Sequence, residues 1–261
     1  MTEEKKSWDE AAGDYQKVFA LGLSEYSASL LRFWREEGMI RPGCRVLDIG
    51  CGVGKYGTYL AELGCDVTLT DLSGEMIRQA AQNMAKYDTP WRVYACDFRE
   101  ATGREPAFAE GFDFVLSTMS PAIDGVEALR KMSAMSRGWC FLARFRSWEQ
   151  PVRDALMRKM GVEPRRMMEK LSEDAASLCK AVEEAGFVPH LKLVPYDWAD
   201  ERSPEEMADY LCRRYFGQEE RERLYPAALA AACELAGADG IIRDAVNTSV
   251  AWICWRTQAG A

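Results

Sequence analysis

Apolar residues in the first forty positions recur at helical spacing. Val18, Leu21, Tyr26, Leu30, Leu31 and Trp34 lie mostly three to five residues apart. Gly38 is placed to end this helical region, and Arg41-Pro42-Gly43 is a turn signal. The pattern then changes. Short apolar runs at 44–49, 66–70, 91–96, 112–117 and 138–145 read as strands, and amphipathic stretches at 55–63, 73–87 and 126–135 read as helices between them. Strands alternating with helices predict a doubly wound, Rossmann-like sheet, mostly parallel and covered on both faces.

The remaining third departs from simple alternation. Helices are predicted at 150–160 and 163–170, and a further one is opened by Ser172 and ended by Gly186. A strand follows at 187–194. Ser203-Pro204-Glu205-Glu206 is a helix start, with Ser203 as N-cap and Pro204 at the first helical position. Helices are expected over much of 204–236, before a closing aromatic-rich strand at 248–256. The expected α/β architecture is therefore a seven-stranded sheet. An N-terminal helical cap occupies 1–42, and the α/β domain spans 43–261 with a helical lid at about 198–245 inserted before the last strand.

Composition narrows the class. Hydrophobic residues make up 48% of 261, enough for a sizeable core. No apolar run approaches the ~18–20 residues of a membrane span, and Met1 to Trp8 lacks the apolar stretch of a signal peptide, so a cytoplasmic location is expected. The formal net charge of −8 disfavours a long nucleic-acid partner. Nine cysteines, odd in number and without a C-x-x-C pair, read as small buried hydrophobes rather than disulfides. A thiol cluster holding a metal or arsenic is the rarer alternative, and no metal is expected.

The chemistry concentrates after the first strand. Val46-Leu47-Asp48-Ile49-Gly50-Cys51-Gly52-Val53-Gly54 places three glycines where ligands sit in doubly wound folds. Glycine lets the backbone turn tightly and approach a ligand. Asp71 ends the second strand, where a carboxylate can accept from both hydroxyls of a ribose. Asp97 follows the third strand, placed to accept from an adenine amino group. Gly52 to Gly57 also satisfies G-x-G-x-x-G, which alone would admit NAD. Three features point elsewhere: Asp48 before the first glycine, suited to a cationic amino group; Asp97; and the strand–insert–strand ending.

V-L-D-I-G-C-G-V-G, followed by T-L-T-D-L-S and A-C-D-F, resembles the class I S-adenosylmethionine-dependent methyltransferases over about residues 44–146. The resemblance implies that Gly50 and Gly52, flanking Cys51, line the methionine part of the cofactor, with Asp48 near its amino group. Asp71 would hold the ribose hydroxyls and Leu72 pack on the adenine. Asp97 and Phe98 would border the adenine ring, and Ser117 would face the sulfonium. Trp8-Asp9-x-x-Ala-x-x-x-Tyr15 looks like the opening helix of small-molecule members, whose aromatic closes over the cofactor. The product would be S-adenosylhomocysteine.

Methyl transfer from a sulfonium is an in-line displacement with a good neutral leaving group. It needs alignment and exclusion of water more than a covalent nucleophile. Acceptor-side candidates are Arg144 and Arg146 at the end of the fifth strand and Tyr196 at the end of the sixth, near the aromatics Trp198, Tyr210, Tyr215 and Phe216. His190, the sole histidine, reads as structural. Ser117-Thr118-Met119-Ser120-Pro121 departs from the N-P-P-[YFW] signature of amino-group methylases acting on bases or glutamine. A small-molecule acceptor is the leading expectation. A protein or tRNA methyltransferase and a non-catalytic cofactor-binding sensor or partner are the alternatives, and the oligomeric state is open.

Overall fold

The structure is a computed structural model describing residues 2–105, 108, 111–164 and 175–257. The chain divides into two compact units. The first comprises Met1–Arg144, Glu173–Lys192 and Ala251–Ala261, and the second Phe145–Ser172 and Leu193–Val250.

The first unit opens with two helices, α1 (Glu3–Ala20) and α2 (Glu25–Glu36). Thr2 and Ser24 cap them by accepting from Lys5 N and Ser27 N. The alternation follows as β1 (Arg45–Ile49), α3 (Lys55–Glu62), β2 (Asp66–Asp71), α4 (Gly74–Met84), β3 (Trp91–Ala95), β4 (Phe112–Thr118), α5 (Gly125–Met135) and β5 (Ser136–Glu149). After α6 (Pro151–Lys159) come α7 (Ala175–Glu184), β6 (His190–Pro195), β7 (Trp198–Arg202), α8 (Pro204–Tyr215), α9 (Gln218–Leu235) and β8 (Ile242–Arg256).

The sheet runs β3-β2-β1-β4-β5-β8-β6, with β7 beside β8. β1 lies parallel to β2 (Asp48 opposite Leu69) and to β4 (Asp48 opposite Leu116). The chain winds outward from β1 through β2 and β3, then restarts on its other side at β4. That reversal opens a crevice at the carboxyl ends of β1 and β4. Below it, Val46, Leu47, Ile49, Val67, Leu69, Phe114, Val115 and Leu116 are fully buried, as the near-continuous apolar runs of a two-sided sheet require. Trp34 of α2 anchors one face, packing edge-on to Tyr56, Phe114 and Phe141 at centroid distances of 5.6, 5.3 and 5.3 Å.

The architecture is the α/β, parallel-dominated sheet expected, with differences of count and boundary. Among the described residues there are eight strands, where seven were expected. Trp198–Arg202, expected to begin a helical lid, is the added strand and pairs antiparallel with Ile242–Val246. The inserted helices are therefore confined to 204–235 within the expected 198–245. β8 begins six residues earlier than expected, because alternating Ile242, Asp244, Val246 and Thr248 are buried on the face shared with β7. β5 likewise runs on to Glu149, and β6 begins only at His190. The helix expected at 163–170 and the helix start at Ser172 lie largely outside the described residues.

In the second unit, Ser203 and Glu206 form a reciprocal capping box at the start of α8. Leu156 and Met157 of α6, Met207 and Leu211 of α8, Ala231 and Ala232 of α9 and Ile242 of β8 form its apolar cluster.

Candidate functional site

The glycine loop leaves β1 through Gly50 and Gly52, at φ +72° and +55°, a region that side chains rarely adopt. Gly50 is required sterically as well: a Cβ there would lie 1.9 Å from Ser120 Oγ, in the segment after β4. Gly50 N and Cys51 N both donate to Thr70 O, tying the loop to the end of β2.

Asp71, at that same end, accepts from Gly52 N through Oδ2 and from Ser73 N through Oδ1, each at 2.9 Å. It therefore braces the glycine loop besides facing the crevice. A carboxylate offers about four acceptor directions, so these two bonds leave capacity for a diol. Burial pushes its carboxyl up, and the two backbone donors oppose that.

Asp48 is 1% exposed, and among the described residues neither of its carboxylate oxygens has a hydrogen-bond partner. Burial, with the neighbouring Asp71 charge, raises its carboxyl to about 8. Such a group calls for a proton or a cation. Ser117, fully buried at the end of β4, has a hydroxyl equally without a partner among the described residues. Cys51 Sγ lies 3.4 Å from Gly52 O, and burial pushes its thiol well up, which keeps it from acting as a thiolate.

The adenine-side expectations are met unevenly. Leu72 is half-buried at the β2–α4 turn. Asp97 is engaged by Arg99, whose Nε and Nη2 each donate to it at 3.1 Å and whose backbone N donates at 3.0 Å, holding the carboxyl low. Phe98 is 2% exposed, with its ring edge-on to Phe108 and under Lys131 Nζ. It is a core side chain. One exposed-looking aromatic after a strand gave no sign of the Phe108 partner.

Sequence reasoning missed the clamp on α1. Asp9 Oδ1 accepts from Ser73 Oγ at 2.5 Å and from Glu75 N at 3.2 Å, so α1 is pinned to the start of α4, two residues past Asp71. Gln16 and Asn83 exchange both amide bonds, and Asn83 also donates to Val53 O of the glycine loop. Glu4 pairs with Arg99 at 2.7 Å. Each of these three contacts therefore reaches a segment next to a residue expected to read the cofactor. Tyr15, 46% exposed, has an edge 3.9 Å from where a Gly52 Cβ would stand. The signal available in the sequence was Asp9 itself, an acid facing a helix N-terminus.

The acceptor-side candidates separate between the units. Arg144 donates to the carbonyls of Ala143 (3.0 Å), Ser117 (3.5 Å) and Ile123 (3.2 Å). This corrects its reading as a substrate clamp: the guanidinium bridges backbone at both ends of the segment after β4. That segment contains Met119, whose φ of 54° is the one positive value at a non-glycine among the described residues. In the second unit Arg146 is exposed, and Tyr196 is half-buried and stacked on Phe145. His190 is exposed at the start of β6. Among the described residues no group of His, Cys, Asp and Glu could hold a metal ion.

Residues 46–137 match a family described as a methyltransferase domain. The chain is 28% identical over 171 residues to a ubiquinone biosynthesis O-methyltransferase of Paraburkholderia phymatum, covering 63% of this chain and 70% of that one. It is 33% identical over 98 residues to ribosomal RNA small subunit methyltransferase C of Alcanivorax borkumensis, covering 37% and 30%. The chain thus spans 30% of the length of that relative, and the same share of another. A solved structure from Bacillus halodurans, provisionally assigned as a methyltransferase, superposes with a TM-score of 0.53 over 88% of this chain and all of that one, at 14% identity, a likeness of fold. Residues 46–137 thus carry the sequence of a methyltransferase domain, built around the glycine loop, on a sheet that shares its fold with that solved structure.

Proposed function

We propose that the protein transfers the methyl group of S-adenosylmethionine to a small-molecule acceptor by in-line displacement, releasing S-adenosylhomocysteine. The observation that carries the reading is Asp48, a buried carboxylate with both oxygens unpartnered among the described residues, beside a loop where Gly52 leaves backbone open. The residues present fit the cofactor. Asp48 would take its ammonium group, Asp71 the ribose hydroxyls, and Leu72 and Asp97 would flank the adenine. Ser117 would lie toward the sulfonium, and Tyr15 on α1 would close over the groove. The bound cofactor supplies an electrophilic methyl on a good leaving group.

The chain's own residues then have two tasks. Asp71 and Arg144 fix the glycine loop and the segment after β4, which sets the alignment that displacement needs. The α1 clamps exclude water from the groove. The half-buried aromatics of the second unit suit a small apolar or cationic molecule. The net charge of −8 favours a small acceptor over a nucleic acid. No described helix is long and apolar enough to cross a membrane.

The test is incubation with methyl-labelled S-adenosylmethionine and a metabolite extract, followed by mass spectrometry. Label is expected in a small metabolite. Label found only in protein or RNA would overturn the small-molecule reading. Cofactor binding with no transfer to any fraction would support a non-catalytic role instead.

A further inference from the structure

β7 and β8 present an unusual face in the second unit. Trp198, Asp200 and Arg202 alternate onto one side of β7, and opposite them on β8 stand Val246, Asp244 and Ile242. Asp200 and Asp244 are thus directly across from each other, a pairing that like charges disfavour. Arg202 answers Asp200 at 3.0 Å through Nη2. It lies 4.0 Å from Asp244 Oδ2 through Nη1, an ion pair without a hydrogen bond. Its guanidinium rests 4.3 Å from the Tyr210 ring centroid. The nearby Arg153 is taken up by Asp154 and by the Tyr215 hydroxyl. Asp200, Asp244 and Asp154 therefore face two guanidinium groups, Arg202 and Arg153, which leaves one carboxylate in surplus.

Asp244 is fully buried. Gln150 Nε2 donates to its Oδ2, while Oδ1 has no hydrogen-bond partner among the described residues. Burial and the Asp200 charge push its carboxyl up, while Gln150, Arg202 and Arg153 pull the other way.

Beside this pair, four half-buried aromatics contact one another in a closed circuit. Phe145 meets Trp148 at 4.9 Å, Trp148 meets Trp198 at 4.9 Å, Trp198 meets Tyr196 at 5.0 Å, and Tyr196 returns to Phe145 at 6.2 Å. Trp198 belongs to both features, two residues from Asp200 on the same face. Trp148 Nε1 also donates to Gln150 Oε1 at 3.4 Å, which links the circuit to the amide that holds Asp244.

We propose that this face of the second unit is a binding subsite for a small organic cation, an amine or ammonium nitrogen on an apolar body. Aromatic faces attract such a cation, and the surplus carboxylate, with its unpartnered oxygen, supplies the acceptor and the countercharge. A neutral hydroxyl compound would leave the charge unmatched, and an anion would add to it. The subsite deepens the small-molecule reading proposed above by naming a nitrogen compound as the class of molecule that the second unit binds.

The test uses the full chain and two matched probes, benzylamine and benzyl alcohol. Titrations are read by calorimetry and by the Trp indole N–H resonances, with S-adenosylhomocysteine titrated in the same preparations. Benzylamine is expected to bind at least about tenfold tighter than the alcohol, and Asp244→Asn or Asp200→Asn to lower its affinity by about tenfold. S-adenosylhomocysteine affinity should hold in both variants. Should Asp244→Asn fail to fold, Asp200→Asn and the amine–alcohol contrast decide the matter. Equal affinity for the two probes, or unchanged amine affinity in the variants, would overturn the subsite and leave a structural network. Loss of S-adenosylhomocysteine binding by the unaltered chain would instead overturn the methyl-donor reading, independently of the amine result.

Discussion

The Asp71 carboxylate accepts the backbone N–H of Gly52 at 2.9 Å, across the gap between β2 and the loop that leaves β1. The residue proposed to hold the ribose hydroxyls is thus also a strut for the loop proposed to line the methionine end of the same cofactor. Asp71→Ala should weaken S-adenosylmethionine binding by ~2–3 kcal/mol, the size expected for charge-assisted bonds to a diol. Hydrogen exchange at Cys51 and Gly52 should rise in the same variant. Unchanged affinity by calorimetry would remove Asp71 from the cofactor site.

Asp48 sets a pH dependence whose sign follows from its burial. The fold favours the neutral acid, so the stabilisation is complete below the unfolded carboxyl range, near 4, and is lost as pH rises through about 8. The cofactor-free protein should therefore lose stability between about pH 4 and pH 8 relative to Asp48→Asn, in which that proton is absent. Denaturation at pH 5, 7 and 9 checks this. Parallel curves for the two proteins would show that Asp48 is not titrating in the fold. Cofactor binding should weaken in Asp48→Asn, because the ammonium loses its countercharge.

Gly50→Ala should destabilise the glycine loop from two directions. The backbone sits at φ +72°, and the new methyl would meet Ser120 Oγ. A loss of about 1–3 kcal/mol is expected from the conformation, more with the clash. Adding Ser120→Gly should recover part of it. A double-mutant cycle with no coupling would mean that the clash is relieved by loop movement instead.

Asp9→Ala should loosen α1 without unfolding the sheet. Two hydrogen bonds to the start of α4 are lost, about 1–3 kcal/mol of docking. Faster hydrogen exchange over residues 3–20 and faster cofactor dissociation are the expected readouts. An unchanged off-rate would show that the groove opens by another route.

The core has its own check. Trp34→Ala removes a ring packed between Tyr56, Phe114 and Phe141 and should cost about 3–5 kcal/mol in thermal or chemical unfolding.

Local pattern was enough to reveal the alternating strands and helices through β5, because two-sided parallel strands must be continuously apolar and amphipathic helices must repeat at 3.6 residues. It also revealed the glycine loop and Asp71, since backbone approach and a strand-end carboxylate are needs that particular residue types meet at fixed places. Residues separated far along the chain were another matter. Trp198–Arg202 reads as mixed polar sequence, and only pairing with Ile242–Val246 makes it a strand with a half-buried charged face. Arg144 looked like a ligand for substrate until the carbonyls of Ser117, Ala143 and Ile123 closed on it. Nothing local to Phe98 showed that its ring packs edge-on to Phe108 in the core. Sequence determined which groups are present and the local geometry each prefers. Tertiary structure decided which charges and rings are already satisfied by the protein and which, like Asp48 and Asp244, are left needing a partner, because burial and hydrogen bonding depend on residues that meet only in the fold.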